Sequence, residues 1–586
     1  MRLTAPKCYF YLFTTIILSW SLTIEIVGSS TCPEICSCRM DERGRRKVLC
    51  ERGNMKNPIN ILDMPENTQI LIITAPHHKQ NSLSLGPIFK SLRRLEEIHI
   101  KWSAVPNIGA HSFWRLKHLK ILNLTHNCFS NIMETNFKGI ISLEKLDLSY
   151  NIIESIPSAV FRYVPNLSSL DLSHNRMNSL VTRVFFGLSK LEYLDLSHNP
   201  IKKLSSEVLS DVPYLKKFSC ESCELIELNR KTLSILRSVI VLNLNNNNFS
   251  TIPDMLDTLQ NLTSLHLNGN KIHTIKTETF LKSSVFEVFL SHNDISNVER
   301  RAFANSSIIR LDLSYNKLSD VSRGGFTDVI SNLRDLRLSG NPIHNEKLFG
   351  LLEKGEILHD LAIGDIGLVQ IPNTIVTGTS LRNLNISANY LTYLSTKLLA
   401  SNPNLRVLDI SSNNFEGMDK SFLEAVNAHK NLQVLRLEGN PFRCDSCHVS
   451  DLQNWLQRSP DQESGCPEPK VWTCLRCIGP EQIKNQPLAL LPPGDLPKCI
   501  QNPETGAVQK STLYNSSSHD IHTGNELSIN NNVDVDELSD ELKQGPPHKN
   551  GASSSNRSNN LSPETCIYFI TILFTIIHIS RFHTDS

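Results

Sequence analysis

Histidine and aspartate recur at matching places along the chain, and together they could form an acid–base array. A histidine stands directly before an asparagine of a short repeated phrase at His126, His174, His198 and His292. An aspartate lies between two apolar residues of that phrase at Asp147, Asp171, Asp195, Asp312 and Asp409. An imidazole beside a carboxylate can move a proton. However, each pair only restates the phrase, and no phosphate loop, nucleophile elbow or HExxH motif accompanies it. We therefore expect no catalytic residue, no metal and no cofactor, and we predict that the chain is not an enzyme.

Three Cys-x2-Cys pairs could hold zinc or act as redox dithiols. They are Cys220/Cys223, Cys444/Cys447 and Cys474/Cys477. The last two belong to a cluster of six cysteines near the end of the repeats, which favours disulfide bonds. Cys220 and Cys223 fall on inward positions of the repeated phrase, so we interpret them as core residues. Cys128 has no evident partner, and we interpret it as a buried thiol.

The repeated phrase is the strongest signal in the sequence. A typical copy is Leu-Glu-Lys-Leu-Asp-Leu-Ser-Tyr-Asn, and successive copies lie mostly 23 to 25 residues apart. Copies end at Asn127, Asn151, Asn175, Asn199, Asn247, Asn270, Asn293, Asn316, Asn341, Asn389, Asn413 and Asn440. Cys223 takes the asparagine place in another copy, and Ser103, Ile366 and Pro76 take it in weaker ones. The pattern predicts about sixteen leucine-rich repeats over residues 53–440.

The spacing within each copy indicates how it folds. Two leucines two residues apart share one face of a short strand, and the asparagine can turn inward to satisfy backbone groups at the bend. A phenylalanine follows ten residues later at Phe113, Phe137, Phe161, Phe185, Phe280, Phe303 and Phe326. One repeat cannot bury these side chains alone, whereas stacked repeats form a continuous core. We predict an α/β solenoid, a horseshoe with a long curved parallel sheet on its concave face and irregular or short helical segments on its convex side.

Segments near the two ends of the sequence predict that the protein is secreted and held at the cell surface. Residues 1–30 have a basic start and an apolar stretch typical of a signal peptide, and residues 501–555 form a stalk too polar to fold. Residues 556–586 contain a short apolar run that fits a GPI-attachment signal, with Ser553 as the attachment residue. A single short membrane span and secretion without an anchor are the alternatives. We expect the outer face of the plasma membrane.

Cysteine clusters border the repeats on both sides. Cys32, Cys36, Cys38 and Cys50 lie in residues 31–52, and Cys444, Cys447, Cys466, Cys474, Cys477 and Cys499 lie in residues 441–500. These segments resemble the cysteine-rich N- and C-terminal caps of extracellular leucine-rich-repeat proteins. The resemblance implies the N-cap bonds Cys32–Cys38 and Cys36–Cys50. The C-cap departs from the family's usual spacing, and six cysteines allow fifteen pairings. Our preferred set is Cys444–Cys477, Cys447–Cys499 and Cys466–Cys474.

Eight Asn-x-Ser/Thr sequons are expected to carry glycans if the chain is secreted. They are Asn123, Asn166, Asn248, Asn261, Asn305, Asn385, Asn515 and Asn556. Asn123 and Asn385 lie between the strand leucines, so their glycans would project from the concave face. The stretch between them would then be the freer binding surface.

The overall architecture resembles the chaoptin and connectin type of GPI-anchored adhesion protein. That resemblance implies protein binding in cell adhesion or recognition, with a partner that is another protein or a second copy of the chain. A receptor subunit that presents a soluble ligand and a secreted matrix protein are the alternatives. The 59 basic and 58 acidic residues balance, which argues against a nucleic-acid partner. The repeat consensus alone singles out no binding residues.

Overall fold

A computed structural model describes residues 32–56, 64–254, 256–281, 283–322, 324–373, 375, 380–458, 475–492 and 494–498. The predicted signal peptide, stalk and anchor segment lie outside these residues. Within the described part of the chain, no helix is long and apolar enough to cross a bilayer.

Short strands stack into one long sheet, as the repeat spacing predicts. The strands are β1 Ser37–Met40, β2 Arg46–Cys50, β3 Ile70–Ile73, β4 Glu97–Ile100, β5 Ile121–Asn123, β6 Lys145–Asp147, β7 Ser169–Asp171, β8 Tyr193–Asp195, β9 Lys217–Ser219, β10 Val241–Asn243, β11 Ser264–His266, β12 Thr274–Ile275, β13 Glu287–Phe289, β14 Asn297–Val298, β15 Arg310–Asp312, β16 Asp335–Arg337, β17 Asp360–Ala362, β18 Asn383–Asn385, β19 Val407–Asp409 and β20 Val434–Arg436. From β2 onward, the strands of the large sheet pair in parallel and in chain order, while β1 pairs antiparallel with β2. The short strands β12 and β14 form a separate parallel pair.

The segments that return from one strand to the next are irregular or short helices. The α-helices are α1 Ser206–Leu209, α2 Arg230–Ile235, α3 Phe326–Val329, α4 Asn345–Leu352, α5 Thr396–Ser401, α6 Lys420–Ala428 and α7 Ser450–Arg458. The 3₁₀ turns are His77–Lys79, Ile88–Ser91, Glu134–Phe137, Leu256–Thr258, Ile330–Asn332 and Leu488–Leu490. A return segment of a few turns is all that a repeat of about 24 residues leaves room for once its strand is made.

The core is a continuous stack of the repeated apolar side chains. The strand leucines are buried, as are all seven phenylalanines that follow the repeat asparagines by ten residues. Rings from neighbouring repeats contact each other: the Phe137 and Phe161 centroids lie 5.7 Å apart, and those of Phe280 and Phe303 lie 5.4 Å apart. Each repeat therefore buries its apolar face against the next, as expected for a solenoid.

The buried asparagines form a ladder of shared hydrogen bonds. Asn316 Nδ2 donates to the carbonyl oxygens of Leu290 at 2.9 Å, Leu313 at 3.0 Å and Ser314 at 3.2 Å. Its Oδ1 accepts from the Ile295 backbone N–H at 2.9 Å. The Leu313 carbonyl also accepts from Asn341, at 2.9 Å, so successive asparagines share one acceptor. This ladder satisfies the backbone groups that the bend would otherwise leave unpaired.

Disulfide bonds close both ends of the array. Cys32 is bonded to Cys38 and Cys36 to Cys50, which ties the β1–β2 hairpin over the first edge of the repeats. At the other end Cys444 is bonded to Cys477. Cys466, Cys474 and Cys499 lie outside the described residues, so the remaining C-cap pairings stay predictions.

The interpretation of the three central cysteines needs correction. Cys220 and Cys223 are fully buried, as expected, but a disulfide bond joins them. Both side chains point into the core, where a strand leucine and a ladder asparagine would otherwise sit, and this brings the two sulfur atoms together. Cys128 is buried and disulfide-bonded, so its interpretation as a thiol is wrong.

Candidate functional site: the concave surface

Strand register decides which side chains share the concave face. The middle residue of β6, β7 and β8 is buried, so the first and third residues of these strands point to the opposite face. The strands are paired without slippage, which places Asp147 beside Asp171 and Asp171 beside Asp195. These three residues, the acidic row, are thus one strand spacing apart, about 4.8 Å.

The acidic row is held by hydrogen bonds but is not neutralised by cations. Asp171 Oδ1 accepts from the Ser173 backbone N–H at 2.9 Å and from the Ser173 hydroxyl at 2.7 Å. Asp195 Oδ2 accepts from the Tyr193 hydroxyl at 2.9 Å. Within the described residues, no lysine, arginine or histidine nitrogen lies within 4.0 Å of a carboxylate of the row. The row therefore presents uncompensated negative charge.

Burial and repulsion by the neighbouring carboxylates raise the pKa of Asp171, the middle residue of the acidic row. Burial raises the pKa of Asp171 to about 6, although the hydrogen bonds from Ser173 oppose the shift. The charges of Asp147 and Asp195 raise this pKa further. The group is nevertheless mainly ionised at pH 7, so a basic side chain from a partner would relieve an unfavourable arrangement.

Aromatic rings stack at the turn that follows each strand. The ring column consists of Trp102, His126, Tyr150, His174 and His198, one from each of five consecutive repeats. Successive ring centroids lie 4.0, 4.3, 3.9 and 4.0 Å apart along the column. Each residue has a positive φ between 51° and 56°, which sends equivalent side chains in the same direction. The repeat geometry thus aligns the rings, and the sequence supplies a ring at every place.

Two histidines of the ring column, His174 and His198, have lowered pKa values and are therefore neutral at pH 7. Burial lowers the pKa of His174 to about 3, and the neighbouring His198 and His126 lower it further. Burial also lowers the pKa of His198. Neutral stacked rings beside a row of carboxylates make an amphipathic surface that is suited to apolar and basic groups.

Two of the predicted glycan sites, Asn123 and Asn385, lie on strands of the concave sheet. Asn123 lies on β5, next to the acidic row, where its Nδ2 donates to Asp147 Oδ2 at 2.7 Å. Asn385 lies on β18, far along the sheet. Asn261 and Asn305 are exposed, whereas Asn166 and Asn248 are half-buried. Asn515, Asn556 and Ser553 lie outside the described residues.

The recurring histidines and aspartates could be recognised from the sequence, whereas the complete ring column could not. Trp102 and Tyr150 were not predicted as members of the column because they are not histidines. Their positions directly before Ser103 and Asn151 carried the signal, since a ring precedes the ladder place in five consecutive copies. In this segment each histidine ring contacts the rings of neighbouring repeats.

Comparisons with known proteins agree with this architecture. Family models described as leucine-rich repeat match residues 93–153, 141–201, 283–343 and 401–417. A Leptospira interrogans leucine-rich-repeat protein has a similar structure, with a TM-score of 0.56 and 22% identity over 70% of this chain and 99% of its own. The mouse RP105/MD-1 complex gives a TM-score of 0.55 and 20% identity over 75% of this chain and 77% of the matched one. The fold is a leucine-rich-repeat solenoid.

Curated relatives match shorter parts of the chain. Trophoblast glycoprotein of Macaca fascicularis is 29% identical over 148 residues, which cover 21% of this chain and 33% of that protein. Transforming growth factor beta activator LRRC33 of Danio rerio is 33% identical over 119 residues, 20% of this chain and 16% of that protein. Immunoglobulin superfamily member 10 of Rattus norvegicus is 33% identical over 97 residues, 15% of this chain and 3% of that protein. The matched region thus spans a third or less of each relative. The chain therefore contains leucine-rich repeats, and disulfide bonds close the N-terminal end of its solenoid.

Proposed function

We propose that the chain acts in cell adhesion or cell–cell recognition by binding a partner protein through its concave surface. The observation that carries the proposal is the presence of the acidic row on the open sheet together with the ring column at the turns that follow the strands. Aromatic side chains supply much of the energy at protein interfaces, and complementary charge supplies orientation and speed of association. A partner with an arginine- or lysine-bearing segment fits both features.

The size of the surface supports a protein partner rather than a small molecule. Sixteen parallel strands follow the N-terminal cap, and at about 4.8 Å each they give a sheet about 70 Å long. A stable protein interface needs only about 800 Å² on each side. The segment between Asn123 and Asn385 leaves ample room for such a contact even with glycans on both residues.

The membrane anchor is a separate part of the proposal. The Ser553 attachment residue and the apolar run after it support a GPI anchor, which would hold the solenoid at the cell surface. Phosphatidylinositol-specific phospholipase C should release the full-length protein from expressing cells into the medium. Complete retention after treatment, with a known GPI-anchored protein released in parallel, would favour a membrane span.

Cell mixing tests the adhesive function. Non-adhesive cells that express the full-length protein are labelled in one colour and mixed with non-expressing cells in another. Clusters of expressing cells alone would indicate binding between copies of the chain, and mixed clusters would indicate a partner on the other cells. No clustering, with surface expression verified, would contradict adhesion and favour a receptor that presents a soluble ligand.

Point variants connect the result to the surface. Tyr150→Ala removes the middle ring of the ring column and should reduce clustering at least fivefold. Tyr393→Ala removes a tyrosine that is 59% exposed in a later repeat and should leave clustering unchanged. Equal effects of the two variants would contradict the proposed location.

A further inference from the structure

A row of basic residues occupies the position directly before the strands in the C-terminal half of the solenoid. We call it the basic ridge; its members are Arg334, His359, Arg382 and Arg406, which precede β16, β17, β18 and β19. Backbone hydrogen bonds join them in sequence: His359 N–H donates to Arg334 O at 2.8 Å, and Arg382 N–H donates to His359 O at 2.7 Å. Arg406 N–H donates to Arg382 O, also at 2.7 Å. The four residues therefore lie along the edge of the sheet at which the strands begin, over about 14 Å at a strand spacing of about 4.8 Å.

The arginines of the ridge keep their charge available. All three are exposed, and within the described residues no carboxylate lies within 4.0 Å of their guanidinium groups. The nearby carboxylates are engaged elsewhere. Asp335 pairs with Arg310 at 3.0 Å, and Asp360 accepts a hydrogen bond from Asn383.

The same position in earlier repeats shows the opposite arrangement. There, the charged side chains form ion pairs: Lys120 pairs with Glu144 at 3.6 Å, and Lys216 pairs with Glu192 at 2.6 Å. Ser168 lies between the two pairs, and uncharged residues take this position from Ile240 to Ile309. The ridge is therefore not a general property of the repeat. At this position of the repeat, the earlier repeats carry ion-paired lysines and glutamates, whereas the later repeats carry arginines without a carboxylate partner among the described residues.

His359, the histidine of the basic ridge, lies in a positively charged environment. Its pKa is lowered by partial burial, and the charges of Arg382 and Arg334 lower it further, against the opposing effect of Asp360. His359 is thus mainly neutral at pH 7 and can donate a hydrogen bond between two cationic neighbours.

We propose that the basic ridge binds a linear sulfated polysaccharide. A guanidinium group can donate two parallel hydrogen bonds to an oxyanion such as sulfate, and three such groups in line match a chain with repeated sulfates. An exposed edge accepts an extended chain without requiring a pocket. The whole protein has a formal net charge of only +1, so general attraction to a polyanion is weak and a local site is required. The edge lies beside the concave face, so a polysaccharide and a protein partner can bind together.

Heparin binding by the secreted, glycosylated protein tests the proposal. Surface plasmon resonance on immobilised heparin at 150 mM salt measures the dissociation constant, and circular dichroism checks the fold of each variant. The triple variant Arg334→Gln, Arg382→Gln and Arg406→Gln should bind about 10- to 100-fold more weakly, because each exposed charged contact adds a modest amount. Its affinity should also depend less steeply on salt.

A matched variant separates the ridge from general charge. Lys120→Gln, Lys202→Gln and Lys216→Gln remove the same number of exposed cations, each of which pairs with a glutamate. This variant should bind heparin like the wild type. Equal losses in the two variants, or no loss in the arginine variant, would overturn the proposal. Stronger binding to polyglutamate than to heparin would overturn it in favour of an acidic protein segment.

Discussion

Replacement of a ladder asparagine by alanine should open one repeat locally, and Asn316 allows the effect to be worked out. Asn316→Ala removes three donated hydrogen bonds and one accepted bond. The carbonyls lose little, because Leu290 O still accepts from Asn293 and Leu313 O still accepts from Asn341. The Ser314 carbonyl similarly keeps the His292 N–H at 3.0 Å.

The largest loss of stability comes from the buried backbone N–H of Ile295, which loses its hydrogen-bond acceptor. An unpaired buried donor costs about 1–3 kcal/mol, and the three weakened carbonyls add about 1 kcal/mol together. The expected loss is therefore about 2–4 kcal/mol. At about 1.4 kcal/mol per tenfold change, amide exchange around Ile295 should accelerate about 30- to 1000-fold.

Hydrogen–deuterium exchange with mass spectrometry measures this change repeat by repeat. Peptides that cover Ile295 should lose protection, while peptides from distant repeats should not, because each repeat contacts mainly its neighbours. Asn297→Ala is the control, since Asn297 is exposed and near Ile295, and it should change exchange by less than about threefold. An acceleration below threefold in Asn316→Ala would refute the account of the ladder.

Two further predictions concern the acidic row and the central cysteines. The pKa of Asp171 is raised in the folded chain from 3.8 to about 6, so the folded state loses stability from this group as pH rises from about 4 to above 6. The free energy of unfolding of Asp171→Ser should therefore rise by about 1–1.5 kcal/mol relative to that of the wild type between pH 5 and pH 7.5. The difference between the two thermal midpoints should accordingly grow with pH. A difference that stays constant over this range would contradict the raised pKa of Asp171. The double variant Cys220→Leu, Cys223→Asn restores the repeat consensus, and the Cys223 sulfur lies 3.4 Å from the Leu196 carbonyl that an asparagine amide could reach. Its thermal midpoint should stay within about 3 °C of wild type, and a fall of more than about 6 °C would show that the disulfide is needed.

Much of the fold could be predicted because the repeat consensus is dictated by local packing. The strand leucines, the asparagine ladder and the phenylalanine stack each follow from side-chain period and burial. The N-cap pairing Cys32–Cys38 and Cys36–Cys50 followed from the resemblance to capped extracellular proteins. In contrast, the bond between Cys220 and Cys223 was missed because inward direction alone does not show that two sulfur atoms meet.

The candidate surfaces were harder to predict because they depend on contacts between repeats. Trp102 and Tyr150 join the histidines only because the left-handed turn aligns all these rings. The charge of the basic ridge likewise depends on what Asp335 and Asp360 contact, which the sequence does not state. The sequence shows which residue types recur. Whether their charges are neutralised or their rings stack can be decided only once the register of neighbouring strands is known.

A glycan placed at the middle of the acidic row tests whether the partner binds to this part of the concave surface. Asp171→Asn creates the sequon Asn-Leu-Ser at the same register as the natural sequons of Asn123 and Asn385. The double variant Asp171→Asn, Ser173→Ala carries the same neutral side chain without a sequon and serves as the control. Both are compared with wild type in the cell-mixing assay at equal surface expression.

We expect the glycosylated Asp171→Asn variant to lose clustering and the control to retain most of it. Normal clustering by the glycosylated variant, with glycan attachment verified by a mobility shift, would show that partners do not contact this part of the concave face and would contradict the account.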